Sequence, residues 1–124
     1  MADKPETQAD APEQFVHGAK PITGALVGTV LDTNGTINQI LYTGPPTSYE
    51  IPQFDPGSGL PTKGYFTLID TGFTPPVVLF STNGHNNGAH SPHATHKMAG
   101  YLIPFISLVL QSCPAGATYS VTTQ

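Results

Sequence analysis

Glycine and proline, thirteen of each, are spread through the 124 residues so that no uninterrupted helical window is left. Proline removes a backbone donor and clashes with the preceding turn, and glycine costs about 1 kcal/mol in a helix interior relative to alanine. Between these breakers lie short β-branched and aromatic runs bounded by turn residues, the pattern of strands. Ala25–Leu31 and Thr36–Thr43 flank Asn34-Gly35, the dipeptide favoured by type I′ turns, and are expected to form a hairpin. Ser48–Phe54 follows, with Pro52 restricting it to an edge or a bulged strand. Gly64–Asp70 and Val77–Thr82 are two more strands, joined by a loop over 71–76. Tyr101–Gln111 is apolar on both faces and suits a central strand, with Pro104 at its start or in a bulge, and Ala117–Thr123 closes the chain. Seven short strands without helical filler predict an all-β fold, a small β-sandwich or barrel over residues 21–124. The expected core is Leu26, Val30, Ile40, Tyr42, Phe66, Leu68, Val78, Phe80, Leu102, Ile106, Leu108 and Leu110.

Charge constrains the partners. Charged residues are 10% of the chain, against about 25% in an average soluble domain. Eight acids face four lysines and no arginine, so neither a guanidinium fork for phosphate nor a basic patch for nucleic acid is present. No apolar run approaches the ~20 residues of a membrane-spanning helix, and the N-terminus lacks the basic-then-apolar pattern of a secretion signal. The first fourteen residues hold four of the acids, Lys4, Pro5 and Pro12, and no large apolar side chain except Met1. Residues 1–20 are therefore read as a flexible acidic arm. The rest of the chain is nearly neutral, and its small core, without a disulfide, favours stabilisation by oligomerisation.

One window is chemically pointed. His85, His90, His93 and His96 lie within Gly84–His96, and the spacing of three between the last three puts them on one face of a polyproline II or 3₁₀ segment. Three neutral imidazoles can take Zn²⁺ or another divalent transition metal, with His85 or an open position as the fourth ligand. The chain has no Asp or Glu after Asp70, so a carboxylate for such a site would come from Asp32, Glu50, Asp55 or Asp70 through folding. The competing readings are a polar surface loop with unliganded histidines, and a pH response in which the four histidines charge together as pH falls toward 5. No other cofactor is called for. Cys113 can pair with no second cysteine and is expected to be a small buried apolar residue. Neither a Gly-x-Ser-x-Gly elbow nor a Gly-rich loop before a lysine occurs, so an enzyme is not expected. The tyrosines and phenylalanines either fill the core or line a carbohydrate-binding surface. Phe73, between Gly72 and Pro75, stands apart as a loop anchor for a partner, and Phe15 and Val16 are the apolar contacts the arm can offer.

An acidic arm running from Ala2-Asp3-Lys4-Pro5-Glu6 to Glu13, leading into a small Gly/Pro/Thr-rich β domain without disulfides, resembles accessory virion proteins of tailed bacteriophages, the capsid decoration (cement) and small spike types. The resemblance implies a non-enzymatic structural protein located in the virion. It would be a homo-oligomer, a trimer, that binds the major capsid protein or another virion protein, with the arm lying across an adjacent subunit. The alternative reading is a small β domain of fibre-tip or receptor-binding type that binds metal through its histidines or binds carbohydrate.

Overall fold

The computed structural model describes residues 19–46, 50–83 and 94–124. The chain is all-β. Among the described residues eight strands follow one another as β1 (Lys20–Ile22), β2 (Val30–Thr43), β3 (Gln53–Phe54), β4 (Pro61–Lys63), β5 (Thr67–Asp70), β6 (Val77–Ser81), β7 (Thr95–Ser112) and β8 (Thr118–Thr123). Six of them form one antiparallel sheet in the order β1-β8-β2-β7-β5-β6, and β3 and β4 pair separately. β2 and β7, the two longest strands, pair along most of their length and form the spine.

The expected hairpin at Asn34-Gly35 does not form. β2 runs straight through it, with Thr33 opposite Ser107 and Gly35 opposite Phe105. Asn34 does take the left-handed conformation that the dipeptide favours, at φ 51°, but the chain continues. Gly35 is there for close approach: a Cβ would sit 2.9 Å from the Gln124 carbonyl oxygen and 3.0 Å from Cζ of Phe105. Pairing with a distant strand has overridden local turn chemistry. Ala25–Leu31, read as the first arm of that hairpin, is mostly a turn and joins β2 only at Val30. The expected strand Gly64–Asp70 is ordered as β5 only from Thr67. Ser48–Phe54 contributes the two residues of β3, while residues 47–49 lie outside the described residues.

The core lies on the inner face. Tyr42 stacks on Phe66 at 5.0 Å between ring centroids, and Phe66 meets Phe80 at 5.8 Å and Tyr119 at 5.3 Å. Ile37, Ile40, Leu68, Leu108, Leu110 and Val121 are fully buried around them. Each aromatic contact adds roughly 0.5–1.5 kcal/mol beyond area burial. Four expected core residues are exposed instead: Leu26 (79%), Val30, Leu102 (58%) and Ile106 (46%). Leu26 falls in the turn. Leu102 and Ile106 belong to a run that is apolar on both sides, so alternation alone does not say which side faces in.

Over its second half β7 buries Ile103 and Phe105, then Leu108, Leu110 and Ser112, with Val109 also covered. The phase therefore changes by one residue at Ile106-Ser107. Asp70, at the end of β5 and only 1% exposed, makes this possible. Its carboxylate accepts the N–H of Ile106 (2.9 Å), of Ser107 (2.9 Å) and of Gly72 (2.9 Å). Thr71 N–H, in turn, donates to the Ser107 carbonyl. β5 pairs with β7 only over Leu108–Ser112, so the carboxylate serves as the next rung of a ladder that has run out of backbone. Burial pushes the Asp70 pKa up, and the three backbone donors outweigh that and hold it below 3.8. Pro104 sits beyond this point at no cost in ladder bonds. Its partner Thr36 exchanges both of its backbone bonds with Gln124 instead, so the nitrogen of Pro104 faces the side where β5 has not begun.

Replacing Asp70 by Ala strands two neighbouring strand amides and the Gly72 amide, which should cost about 2–4 kcal/mol. Urea unfolding of Asp70→Ala against the parent chain measures it; a loss below about 0.5 kcal/mol, the range of ordinary surface changes, would contradict this account.

Candidate functional site

In the middle of β7 the side chains that point away from the core are Leu102, Pro104 and Ile106, at period two and all exposed. Together they make an apolar ridge about 13 Å long at the rise of a β-strand. The β5–β6 loop lengthens it. A Cβ on Gly72 would lie 2.5 Å from the Cβ of Ile106, so the glycine backbone rests on that side chain, and Phe73 follows at 49% exposure. The loop is held in this position by the Asp70 carboxylate through Gly72 and by the Thr71–Ser107 bond. One carboxylate thus sets the strand that carries the ridge and the loop that carries the phenylalanine. Phe73 stands as an exposed loop side chain, as its sequence setting suggested. Leu102 and Ile106 were missed as surface residues, although the doubly apolar run from Tyr101 to Gln111 was the signal for them.

The remaining candidates separate from this ridge. His85, His90 and His93 lie outside the described residues, as do Phe15 and Val16. His96 lies in β7 opposite Tyr42, its ring 6.1 Å from the tyrosine ring and nearly parallel to it. Among the described residues no three His, Cys, Asp or Glu side chains converge on a point where they could hold a metal.

The four acids of the folded body are all engaged. Asp32 accepts from Lys20 Nζ (3.1 Å), Thr33 N–H (2.9 Å) and Thr123 Oγ1 (2.7 Å); burial raises its pKa, and these three partners more than reverse that. Glu50 Oε1 accepts from Gly64 N–H (3.0 Å) and Ala115 N–H (3.3 Å), tying two loops together. Asp55 takes both the hydroxyl and the N–H of Ser58 inside the β3–β4 turn, which lowers its pKa. Asp70 has been described. Each carboxylate secures backbone or closes a turn, and Asp55 and Asp70 belong to separate hydrogen-bond networks.

Cys113 packs against the core, and burial together with the Glu50 carboxylate pushes its thiol up to about 11. A nucleophilic cysteine needs the opposite shift. Tyr42 and Tyr119 are likewise raised, chiefly by burial. Phe54, 48% exposed, and the partly buried Tyr65 lie 5.8 Å apart, in β3 and just after β4.

No protein-family model, curated protein or solved structure matches this chain.

At pH 8, Cys113 should react with a disulfide reagent such as dithiobis-nitrobenzoate about a hundred times more slowly than free cysteine, following its smaller thiolate fraction. Stopped-flow absorbance measures this, and labelling at the rate of free cysteine would contradict the assigned environment.

Proposed function

We propose that this protein is a non-enzymatic structural protein of a virus particle, an oligomer that binds the capsid or another virion surface through its β-sheet. The observation that carries the reading is the apolar ridge of Leu102, Pro104, Ile106 and Phe73 on an otherwise weakly charged body. Apolar side chains standing in a row on a rigid strand are what a packed protein interface uses as anchors. The acids are engaged within the fold, Glu50 and Asp70 by backbone amides and Asp32 by the Thr123 hydroxyl. The near-neutral surface favours close approach of like copies, because little charge repulsion opposes it. The virion setting comes from the architectural resemblance: an acidic arm ahead of a small, cysteine-poor β domain. In this reading the ridge packs one subunit against its neighbours in a trimer, and the shell protein covers what the trimer leaves.

Light scattering after size exclusion on the full chain tests the assembly surface. The parent at about 100 µM should run as an oligomer, and Ile106→Lys or Leu102→Lys should weaken self-association at least about tenfold, as loss of a central anchor does. Far-ultraviolet circular dichroism should be unchanged. Ile51→Lys, at a side chain 73% exposed ahead of β3, should leave the mass as it is. A parent chain that stays monomeric, or a ridge variant that assembles like the parent, would overturn the reading.

A further inference from the structure

Asn34 and Gly35 stand within a strand for two separate reasons. Asn34 holds φ 51°, a conformation that asparagine tolerates better than most side chains. Gly35 has no room for a side chain, because its Cβ would meet the Gln124 carbonyl oxygen at 2.9 Å and Phe105 Cζ at 3.0 Å. Packing thus sets side by side two residues whose link is among the least durable in water. Asparagine is chemically labile, and a following glycine, lacking a Cβ, leaves its nitrogen unshielded for attack on the asparagine side chain.

We infer that Asn34-Gly35 is a self-modifying site held closed by the β2–β7 ladder, so that its conversion records an opening of β2. The chemistry needs only water. The Gly35 nitrogen bonds to Asn34 Cγ and gives up its proton through solvent to the side-chain nitrogen. The bond from Cγ to that nitrogen breaks, ammonia leaves, and a five-membered imide remains. Water then opens the imide at one of two bonds. Breaking the Cγ–N bond leaves aspartate. Breaking the bond between the carbonyl carbon of residue 34 and the Gly35 nitrogen leaves isoaspartate, with the main chain rerouted through Cβ and Cγ.

Folding opposes the first step. Thr36 exchanges both of its backbone bonds with Gln124, so its neighbour Gly35 turns its N–H the other way, toward β7, where Phe105 stands opposite. Attack requires that N–H to leave the ladder and the peptide plane to swing toward the Asn34 side chain. Pairing on both sides of the dipeptide, Thr33 with Ser107 and Ile37 with Ile103, resists the rotation. Asn34 itself is exposed, so water reaches the side chain and the backbone is what withholds reaction. The way back is closed too. Isoaspartate adds one carbon to the main chain between Thr33 and Gly35, whose partners on β7 fix the span, while Gln124 fixes Thr36 on the other side. A chain converted while open therefore refolds with a misfit in its spine. The inference concerns the chain alone and stands apart from the virion reading.

The test incubates the full chain at pH 8, folded in buffer and unfolded in guanidinium chloride, and follows residue 34 by peptide mapping with mass spectrometry. A protease that cuts before aspartate and not before isoaspartate tells the two products apart. Conversion should be at least about tenfold slower in the folded chain, and at low denaturant it should rise in step with amide exchange of peptides covering Gly35–Ile37. Chains carrying isoaspartate, separated and returned to buffer, should exchange those amides at least about tenfold faster than the parent. Conversion of the folded chain at the unfolded rate would overturn the inference. So would an isoaspartate chain with the parent's protection.

Discussion

A single buried carboxylate carries much of this architecture. Asp70 ends β5 where the central strand β7 still has amides to satisfy, and it accepts the N–H groups of Ile106, Ser107 and Gly72 in place of a further stretch of backbone. The two consecutive strand amides meet the two oxygens of one carboxylate, and the buried positions of β7 step there from Phe105 to Leu108, while its register with β2 runs unbroken from Ile103 to Leu108. Upstream of this step β7 turns Ile103 and Phe105 into the core and Leu102 and Ile106 out. Downstream, Leu108 and Leu110 complete the aromatic cluster around Phe66. Without the phase change one half of the strand would bury its wrong face.

The same carboxylate holds Gly72, the residue before Phe73, against Ile106, so the stability of the sheet and the shape of its exposed ridge share one origin. An apolar ridge on a central strand is costly for a solitary protein and useful for one that spends its life against others. The distribution of the acids agrees with that: Asp32, Glu50, Asp55 and Asp70 all secure turns or strand ends, and Cys113 is held as a thiol by its surroundings. What the fold exposes is a row of apolar side chains on a stiff strand.

Much of this was legible in the sequence. Spaced glycines and prolines excluded helix, and the strands at Val77–Ser81 and Thr118–Thr123 lie close to where alternation and turn residues put them. The centrality of β7 was legible from its doubly apolar run. Two things were not. Asn34-Gly35 has the local chemistry of a hairpin turn, and only the distant Phe105 ring and Gln124 backbone show that the glycine serves close packing. The facing of Leu102 and Ile106 was hidden because a strand apolar on both sides carries no phase in its sequence, and its phase is set by an aspartate 36 residues away from Ile106 in the chain. Phe73 was legible for the opposite reason, since a phenylalanine flanked by glycine and proline has little choice but an exposed loop.

The account turns on Asp70 being ionised and bound to those amides in the folded protein. A carboxylate of this kind has a pKa lower folded than unfolded, so its stabilisation is present above the unfolded pKa and is lost as pH falls through the folded value. The decisive measurement is a carbon-detected NMR titration of the Asp70 carboxyl from pH 7 downward, with the amide protons of Ile106, Ser107 and Gly72 followed in the same samples. The account predicts a midpoint below 3.8, with the three amide resonances moving at that midpoint as their acceptor is neutralised. A midpoint at or above 3.8, or amides indifferent to the titration, would contradict it.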